Sequence, residues 1–275
     1  MALAIMPLHT SCFLVILIIS TIEPTPSQDA SPSVVISRNL PLPRLPINIP
    51  VVTRCSCLSL LMIWPKKDNV IGIYDTGEIQ TDISRSVFIA LPKKPGATEY
   101  ELHRTISLMS HVTKILLRVV MMRIRSKIKP EIADEQYGFV EGKGTTNAIY
   151  KLHTLIQRAI EVQKDVYLCF IDYTKAFDRV RHDEIMKDLT QIKIDGKDLR
   201  VIKNIYWEQT AAMRVEGETS TYQKIKRGVR QGWVLSPDLF SLYSEFIMRS
   251  IEGLIGIHIG EHIINNLRYA DDLTV

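Results

Sequence analysis

The 275-residue sequence contains few cysteines and no apolar run long enough to cross a bilayer as a helix. Its four cysteines form no zinc-ligand pattern, because Cys55 and Cys57 have no second pair of ligands downstream. They indicate no disulfide framework either, and Cys169, inside an apolar segment, is expected to pack as a small apolar side chain. The apolar runs at 12–19 and 57–64 are too short for a transmembrane helix, so no transmembrane span is predicted.

Charge is modest overall but unevenly distributed. The composition is 46% hydrophobic and 23% charged, which is typical of a globular protein and not of a disordered one. The net charge is +4, yet residues 91–130 carry nine Lys or Arg against two Glu, so this segment is +7 and the rest sums to −3. Such a block suits a phosphate backbone. The alternative is a solvated helix face.

Three regions differ in composition along the chain. Residues 1–22 are an apolar N-terminal segment, residues 23–70 include a Pro-rich linker, and residues 71–275 alternate helix and strand signals. The run at 12–19 has the length of a signal-peptide core, but no Lys or Arg precedes it. We therefore favour an intracellular product, in the nucleus or cytoplasm, with a secreted product as the alternative.

The pattern of apolar residues from residue 71 onward predicts a mixed α+β domain. Proline at 237 after Ser236 predicts a helix start, with the serine hydroxyl as the cap. The other expected elements are a strand at 86–91, a long helix from about Ile106 to Ile128, a helix from Thr145 or Thr146 with Ile149 on its apolar face, a strand at 166–171, a helix around 199–206, a hairpin at 212–226 and short strands from 256 to 270.

Carboxylates follow two apolar segments of this domain. Asp172 ends the apolar run 166–171, and the sequence Tyr-Ala-Asp-Asp occupies 269–272. Adjacent carboxylates beside apolar sequence are costly unless a cation or strong donors neutralise them. If the two strands are neighbours, the aspartates could hold two magnesium ions. Each motif alone has an ordinary alternative, a turn or capping residue for the first and a surface pair for the second.

Six ordered segments resemble the reverse transcriptase domain of LINE-type, non-LTR retrotransposons, from about Asp75 to Val275. They are DTGEIQ followed by FIALPKK, HRTISLMSHVTKILLRVVMMRI, EQYGFVEGKGTTNAI, FIDYTKAFDRV, RGVRQGWVLSPDLFSLYSE and RYADD. The resemblance implies a right-hand polymerase fold: fingers and a partial palm, with an antiparallel sheet packed on helices. We expect the thumb to be absent, because only three residues follow the acidic pair.

The resemblance also implies catalytic and metal-binding residues. Asp172, Asp271 and Asp272 would be the catalytic carboxylates and would bind the metal ions together with the backbone carbonyl of Tyr173. The implied cofactors are two Mg²⁺ ions, with Mn²⁺ as a substitute. The implied partners are an RNA template, a DNA primer and dNTPs, and no stable protein partner is expected.

Further residues match positions that contact nucleotide or template in the family. Phe177 would lie beneath the incoming sugar, although core packing is nearly as good an explanation of an aromatic ring there. Gln231 and Gly232 would line the nucleotide and template. Three cations are candidate contacts for the triphosphate or template, each with simple solvation as the alternative: Lys93, Lys94 and Arg104.

Trp233 stands where the family commonly has a small or acidic residue, so its ring must pack away from the loop. Two functions remain open at this point. The chain is either an RNA-directed DNA polymerase domain or a catalytically inert retroelement remnant that at most binds nucleic acid through its basic surface.

Overall fold

The structure is a computed structural model that describes most of the chain from residue 67 onward and two strands before it. The described residues are 3–8, 12–19, 67–99, 102–194, 196–215, 217–250, 256–259 and 262–275. The strands are β1 Leu3–Leu8, β2 Cys12–Ile19, β3 Arg85–Pro92, β4 His103–Leu108, β5 Val166–Tyr173, β6 Thr210–Val215, β7 Glu218–Thr219, β8 Gln223–Lys224, β9 Ile257–Ile259, β10 His262–Ile264, β11 Leu267–Tyr269 and β12 Asp272–Thr274. The helices are α1 Lys67–Thr76, α2 Thr81–Ser84, α3 His111–Ile128, α4 Thr145–Glu161, α5 Ala176–Arg179, α6 His182–Gln191, α7 Gly196–Trp207 and α8 Ser236–Arg249.

The first sheet is antiparallel throughout and has the strand order β1-β2-β5-β12-β11. Strand β5 is therefore central, which agrees with its unbroken apolar sequence. The backbone of β2 pairs with β5 along its full length, from Cys12 opposite Tyr173 to Ile19 opposite Val166. The N-terminal apolar run thus lies in the sheet beside β5. A signal peptide in this segment stays the alternative to the predicted intracellular product.

The second sheet contains β4, β3, β6 and β7 in that order, with β8 also pairing with β6. Strand β3 is antiparallel to β4 and parallel to β6, and the β6–β7 connection is the hairpin predicted around residue 217. One antiparallel sheet, one mixed sheet with a single parallel pair, and packed helices confirm the predicted α+β class.

A core of packed helices forms the main buried apolar cluster of the described residues. Its buried side chains come from α3, α6, α7 and α8, and each apolar side chain of this size contributes roughly 1.5–3 kcal/mol when fully buried. The buried residues that these helices contribute include Leu116, Leu117, Val120, Ile124, Ile185, Leu189, Val201, Ile202, Ile205, Leu239 and Leu242. A smaller cluster of Tyr137, Leu155, Ile264 and Leu267 joins α4 to the first sheet.

The long helix predicted from Ile106 begins five residues later than expected. Residues 103–108 form β4, in which Ile106 pairs with Ile89 of β3. Helix α3 starts at His111 because the Ser110 side chain caps it, accepting a hydrogen bond from the Thr113 amide at 3.1 Å. An apolar sequence on β4 matches helical spacing by chance, and strand pairing overrides it.

Two local predictions were wrong. The Ser236 hydroxyl does not cap α8, because the N-cap residue is Leu235 and Ser236 is already helical. In α4 the side chain of Ile149 is exposed, while Leu155 and Ala159 are buried. The helix starts at Thr145 as predicted, and the helix at 196–207 and the short strands from 257 to 269 are confirmed.

Residues 23–66 of the predicted linker lie outside the described residues. Helix α1 begins at Lys67, so the boundary proposed at residue 71 falls inside a helix. Within the described parts of the chain, no helix combines the length and apolar character needed to cross a membrane.

Trp233 joins the second sheet to the helical core. Its side chain is 2% exposed, and its indole Nε1 donates a hydrogen bond to Ser107 Oγ of β4 at 3.2 Å. The Arg230 guanidinium lies 4.8 Å from the centre of the indole ring, a cation–π contact. The ring is therefore buried in contact with Ser107 of β4 and with Arg230 of its own loop.

We expect Trp233→Phe to lower the free energy of unfolding by about 1–3 kcal/mol, because it leaves the buried Ser107 hydroxyl without its donor. Trp233→Ala should cost about 3–5 kcal/mol through the cavity it creates. Urea-induced unfolding monitored by circular dichroism measures both losses. Trp207→Phe, at a half-buried ring, is the matched control, and an equal loss there would contradict the role assigned to Trp233.

Candidate active site

The first sheet brings the predicted carboxylates together where β5 ends and β12 begins. Asp272 begins β12 directly opposite Asp172 of β5, and cross-strand partners have Cβ atoms about 4.5–5.5 Å apart on one face of a sheet. Asp271 lies in the two-residue turn that connects β11 to β12. The other turn residue, Ala270, has φ +57°, a left-handed conformation that is strained for a residue with a side chain.

Like charge and partial burial raise the pKa values of two of these carboxyl groups. Burial raises the pKa of Asp271 above its ordinary value, and the neighbouring charges of Asp272 and Asp172 raise it further, while Arg104 opposes the shift. Burial also raises the pKa of Asp272, again with a contribution from Asp172. The three carboxylates are therefore close enough to repel each other, as expected of groups arranged to face a cation.

Within the part of the chain that the structure describes, no three His, Cys, Asp or Glu side chains are arranged with the geometry of a metal site. Asp172 and Asp272 are exposed, whereas Asp271 is half-buried. The donor chemistry nevertheless fits a hard divalent cation, because three carboxylates that repel one another lie together at the paired ends of β5 and β12. Tyr173, whose carbonyl was predicted as a further ligand, is the last residue of β5.

A loop at 228–231 closes the other side of the site through backbone hydrogen bonds. The amide of Gly228 donates to Val180 O at 2.7 Å, and that of Val229 donates to Phe177 O at 2.8 Å. At the far end of the loop, the amide of Ser107 donates to Gln231 O at 3.0 Å. The segment after β5, the loop and strand β4 thus form one connected wall.

Packing within the protein partly accounts for the residue type at two of the predicted nucleotide-contact positions. Phe177 is half-buried and stacks on Phe240, with ring centroids 4.3 Å apart, and meets Phe139 edge-on at 5.9 Å. Gly232 has φ +95°, and a Cβ added there would lie 3.3 Å from Ser107 O. The close approach that its glycine permits in this structure is to β4. Contacts of Phe177 and Gly232 with a nucleotide remain predictions.

The predicted cations lie on the second sheet and its connecting loop, and all three are exposed. Lys93 and Lys94 follow β3, and the Lys93 amide donates to Leu102 O at 2.8 Å, which closes the loop toward β4. Burial raises the pKa of Asp178, and the charges of Lys175 and Lys93 lower it, which places both lysines near that carboxyl. Arg104, on β4, faces Asp271 closely enough to lower its pKa.

A cationic cleft of about 620 Å³ is lined by the predicted contact residue Gln231 and by Thr174, two residues after Asp172, but its cations were not predicted as site residues. Its cationic lining residues are Lys175, Arg179, Lys224, Lys226, Arg227 and Arg230, set against the one carboxylate of Asp178. Three of these cations, at 224, 226 and 227, are exposed and form no ion pair within the described ranges. The sequence signal was present in KIKRGVR, since four of its seven residues are basic.

By contrast, part of the basic block at 91–130 is paired with carboxylates within the fold. On α3, Arg123 binds Asp198 at 3.0 Å and Arg125 lies 3.7 Å from Asp238. These contacts join α3 to α7 and α8, so these two arginines connect helices within the fold. Arg104 of the same block faces Asp271, whereas the cations of the cleft come from the 175–230 region.

The described geometry agrees with comparisons to known proteins. The family described as reverse transcriptase (RNA-dependent DNA polymerase) matches residues 91–275, which include every predicted site residue. The chain belongs to the reverse transcriptase family. Members of this family copy a nucleic-acid template and use divalent metal ions, in keeping with the acidic edge and the basic cleft.

Related sequences are proteins of non-LTR retrotransposable elements, which confirms the resemblance seen in the motifs. A Pol polyprotein from the type-1 retrotransposable element R2 of Nasonia vitripennis is 29% identical over 192 residues, covering 70% of this chain and 18% of that protein. The RNA-directed DNA polymerase from mobile element jockey of Drosophila funebris is 28% identical over 186 residues, covering 66% and 20%. The chain therefore spans about a fifth of the length of these relatives.

Among solved structures, the apo telomerase of Candida tropicalis truncated from its C-terminal domain is similar with a TM-score of 0.50 and 15% identity. The similarity covers 78% of this chain and 48% of that one. At this identity the comparison supports the fold, a fingers and palm arrangement, and nothing about activity.

We expect Asp271→Asn to increase the free energy of unfolding at pH 7. The pKa of Asp271 is raised in the folded protein, so ionisation costs stability as the pH rises from the ordinary value of 3.8 through the raised value. The gain should therefore shrink as the pH falls through this range and be small at about pH 3, where both folded and unfolded states hold most of the proton. Urea-induced unfolding at the two pH values measures it.

The matched control for this measurement is Asp82→Asn, whose side chain is 93% exposed. It should change the stability little at either pH, since exposed charges of this kind contribute little. An equal gain at both sites, or no gain for Asp271→Asn, would contradict the electrostatic strain assigned to the turn.

Proposed function

We propose that this chain provides the nucleotidyl-transfer site of an RNA-directed DNA polymerase, which extends a DNA primer on an RNA template with dNTPs. The observation that carries the proposal is the pairing of β12 with β5, which sets Asp272 opposite Asp172 with Asp271 in the adjoining turn. Because the chain spans a fraction of its relatives, the activity of a whole polymerase, its substrates and its partners are part of the proposal.

In this proposal, Asp172, Asp271, Asp272 and the Tyr173 carbonyl hold two divalent ions, Mg²⁺ or Mn²⁺. When bound, such ions make the primer 3′-hydroxyl more acidic and neutralise charge on the phosphates. The support is electrostatic, since two of the carboxyl groups have raised pKa values that a cation would relieve. The protein's own contribution is to hold the three carboxylates together, two on paired strands and one in the adjoining turn.

The cationic side chains of the site orient the phosphates. Arg104 faces Asp271 from β4, and the cleft that begins at Lys175 continues the positive charge away from the carboxylates. A triphosphate or a template backbone would meet positive charge on one side and the acidic edge on the other. Phe177, stacked on Phe240, gives the wall between them a rigid aromatic surface against which a sugar could rest.

Primer extension on an RNA template, with Mg²⁺ or Mn²⁺, tests the catalytic proposal. We expect Asp172→Asn and Asp271→Asn each to lower the extension rate more than about a hundredfold, because each removes a charge from the metal site. Asp82→Asn is the matched control and should keep the wild-type rate.

A wild-type protein that extends no primer with either metal, while properly folded, would overturn the catalytic proposal. Salt-dependent RNA binding in the same protein would then favour the alternative, a nucleic-acid-binding remnant, particularly if the aspartate variants bind as tightly as the wild type.

The proposed role of the cleft predicts a change in the salt dependence of RNA binding. Lys226→Ala and Arg227→Ala should each weaken binding and lower the slope of log affinity against log salt by about 1, one lost phosphate contact each. Fluorescence anisotropy with labelled single-stranded RNA at several salt concentrations measures this slope. Lys203→Ala, an exposed lysine of α7, is the charge-matched control. Equal slopes for all three variants would exclude the cleft as the phosphate surface.

A further inference from the structure

We propose that Gln136 is a positioning residue that holds the Ala270–Asp271 turn in place. Its side chain is fully buried, and its Oε1 accepts hydrogen bonds from the Gly138 amide at 2.8 Å and the Ala270 amide at 3.0 Å. One side-chain oxygen thus connects its own loop to the residue that precedes Asp271. The inference rests on the proposed function, because the turn matters most if Asp271 binds metal.

The backbone around Gln136 strengthens this connection. The Arg268 amide donates to Glu135 O at 2.9 Å, and the Tyr137 amide donates to Arg268 O at 2.8 Å, so the loop pairs with β11 like a short extra strand. The Arg268 side chain lies 3.0 Å from Glu245 of α8 in an ion pair that is buried on both sides. The start of the hairpin is therefore fixed before the turn is reached.

The loop also approaches the turn too closely for any side chain at residue 138. A Cβ added to Gly138 would lie 2.1 Å from the Ala270 amide nitrogen and 2.7 Å from its Cα. Real Cβ atoms do not come this close to backbone, so glycine is required for the contact. The motif Gln-x-Gly at 136–138 is explained by this geometry, in which one residue supplies the acceptor and the other the space.

The turn needs such support because two unfavourable features meet in it. Ala270 has a left-handed backbone conformation, and Asp271 is repelled by Asp272 and Asp172. A released turn could relieve both by moving the carboxylate away from the sheet edge. The bond from the Ala270 amide to the buried Gln136 oxygen opposes that movement, and the bond from the Gly138 amide holds the same oxygen in place.

Gln136→Met tests the inference in the full chain. Methionine matches the length of glutamine, and the Nε2 atom that it replaces makes no hydrogen bond within the described residues, so the substitution removes chiefly the two bonds to Oε1. We expect the turn amides at 270–272 to exchange hydrogen at least about tenfold faster, because the Ala270 amide loses a buried acceptor. Hydrogen exchange measured by mass spectrometry reports this.

The control is Ile185→Val, which removes one methyl group from the separate helical core and lowers stability without touching the turn. It should leave exchange at 270–272 unchanged relative to the rest of the first sheet. Gln136→Asn, one methylene shorter, is measured in the same way in case the methionine variant does not fold. Unchanged turn exchange in the folded Gln136 variants, or equal acceleration in Ile185→Val, would overturn the proposal.

A second measurement tests whether the position of the Ala270–Asp271 turn affects metal binding. Titration with Mn²⁺ followed by electron paramagnetic resonance should show at least about tenfold weaker binding in Gln136→Met than in Ile185→Val. Equal affinity in the two variants would also count against a positioning role. If the wild type binds no Mn²⁺, the metal part of the proposed function fails, whereas the exchange experiment still decides whether Gln136 holds the turn.

Discussion

Because β12 pairs antiparallel with β5, Asp272 lies opposite Asp172 and the two carboxylates share one face of the sheet. Two unit charges about 5 Å apart repel by about 0.8 kcal/mol in water and by about 3 kcal/mol at the effective dielectric near a protein surface. The half-buried Asp271 adds a third charge, and its raised pKa records the cost. This unfavourable electrostatic energy at one edge is what a divalent cation would relieve, and the surrounding structure must hold the carboxylates there without one.

That support comes from segments far apart in the sequence. Buried apolar side chains of α3, α6, α7 and α8 pack into one helical core, and Trp233 joins the second sheet to this core. The loop at 228–231 is bonded to the segment after β5, and Gln136 bonds the acidic turn from the opposite side. The chemistry of the site is therefore carried by short motifs, whereas its geometry depends on contacts between those motifs.

Positive charge shows the same dependence on the fold. The segment at 91–130 has the largest local excess of Lys and Arg, yet Arg123 and Arg125 on α3 face carboxylates of α7 and α8 and so contribute to packing. A shorter basic run, from Lys224 to Arg230, lines a cleft whose one carboxylate is that of Asp178. Counting charges along a sequence cannot separate these cases, because both consist of basic residues and differ in whether a carboxylate lies opposite.

Several features followed from local sequence alone: the mixed α+β class, the central apolar strand that ends at Asp172, the helix start at Thr145 and the short strands that lead to the acidic pair. Ordered motifs were enough to indicate the family, since their residue types are fixed by chemistry at the site. Tertiary structure alone decided the strand at 103–108, the packing of Phe177 and Gly232, the pairing of α3 cations and the role of Gln136. The physical reason is that each of these depends on a partner distant in sequence, a strand, a carboxylate or a backbone amide, that periodicity and composition do not contain.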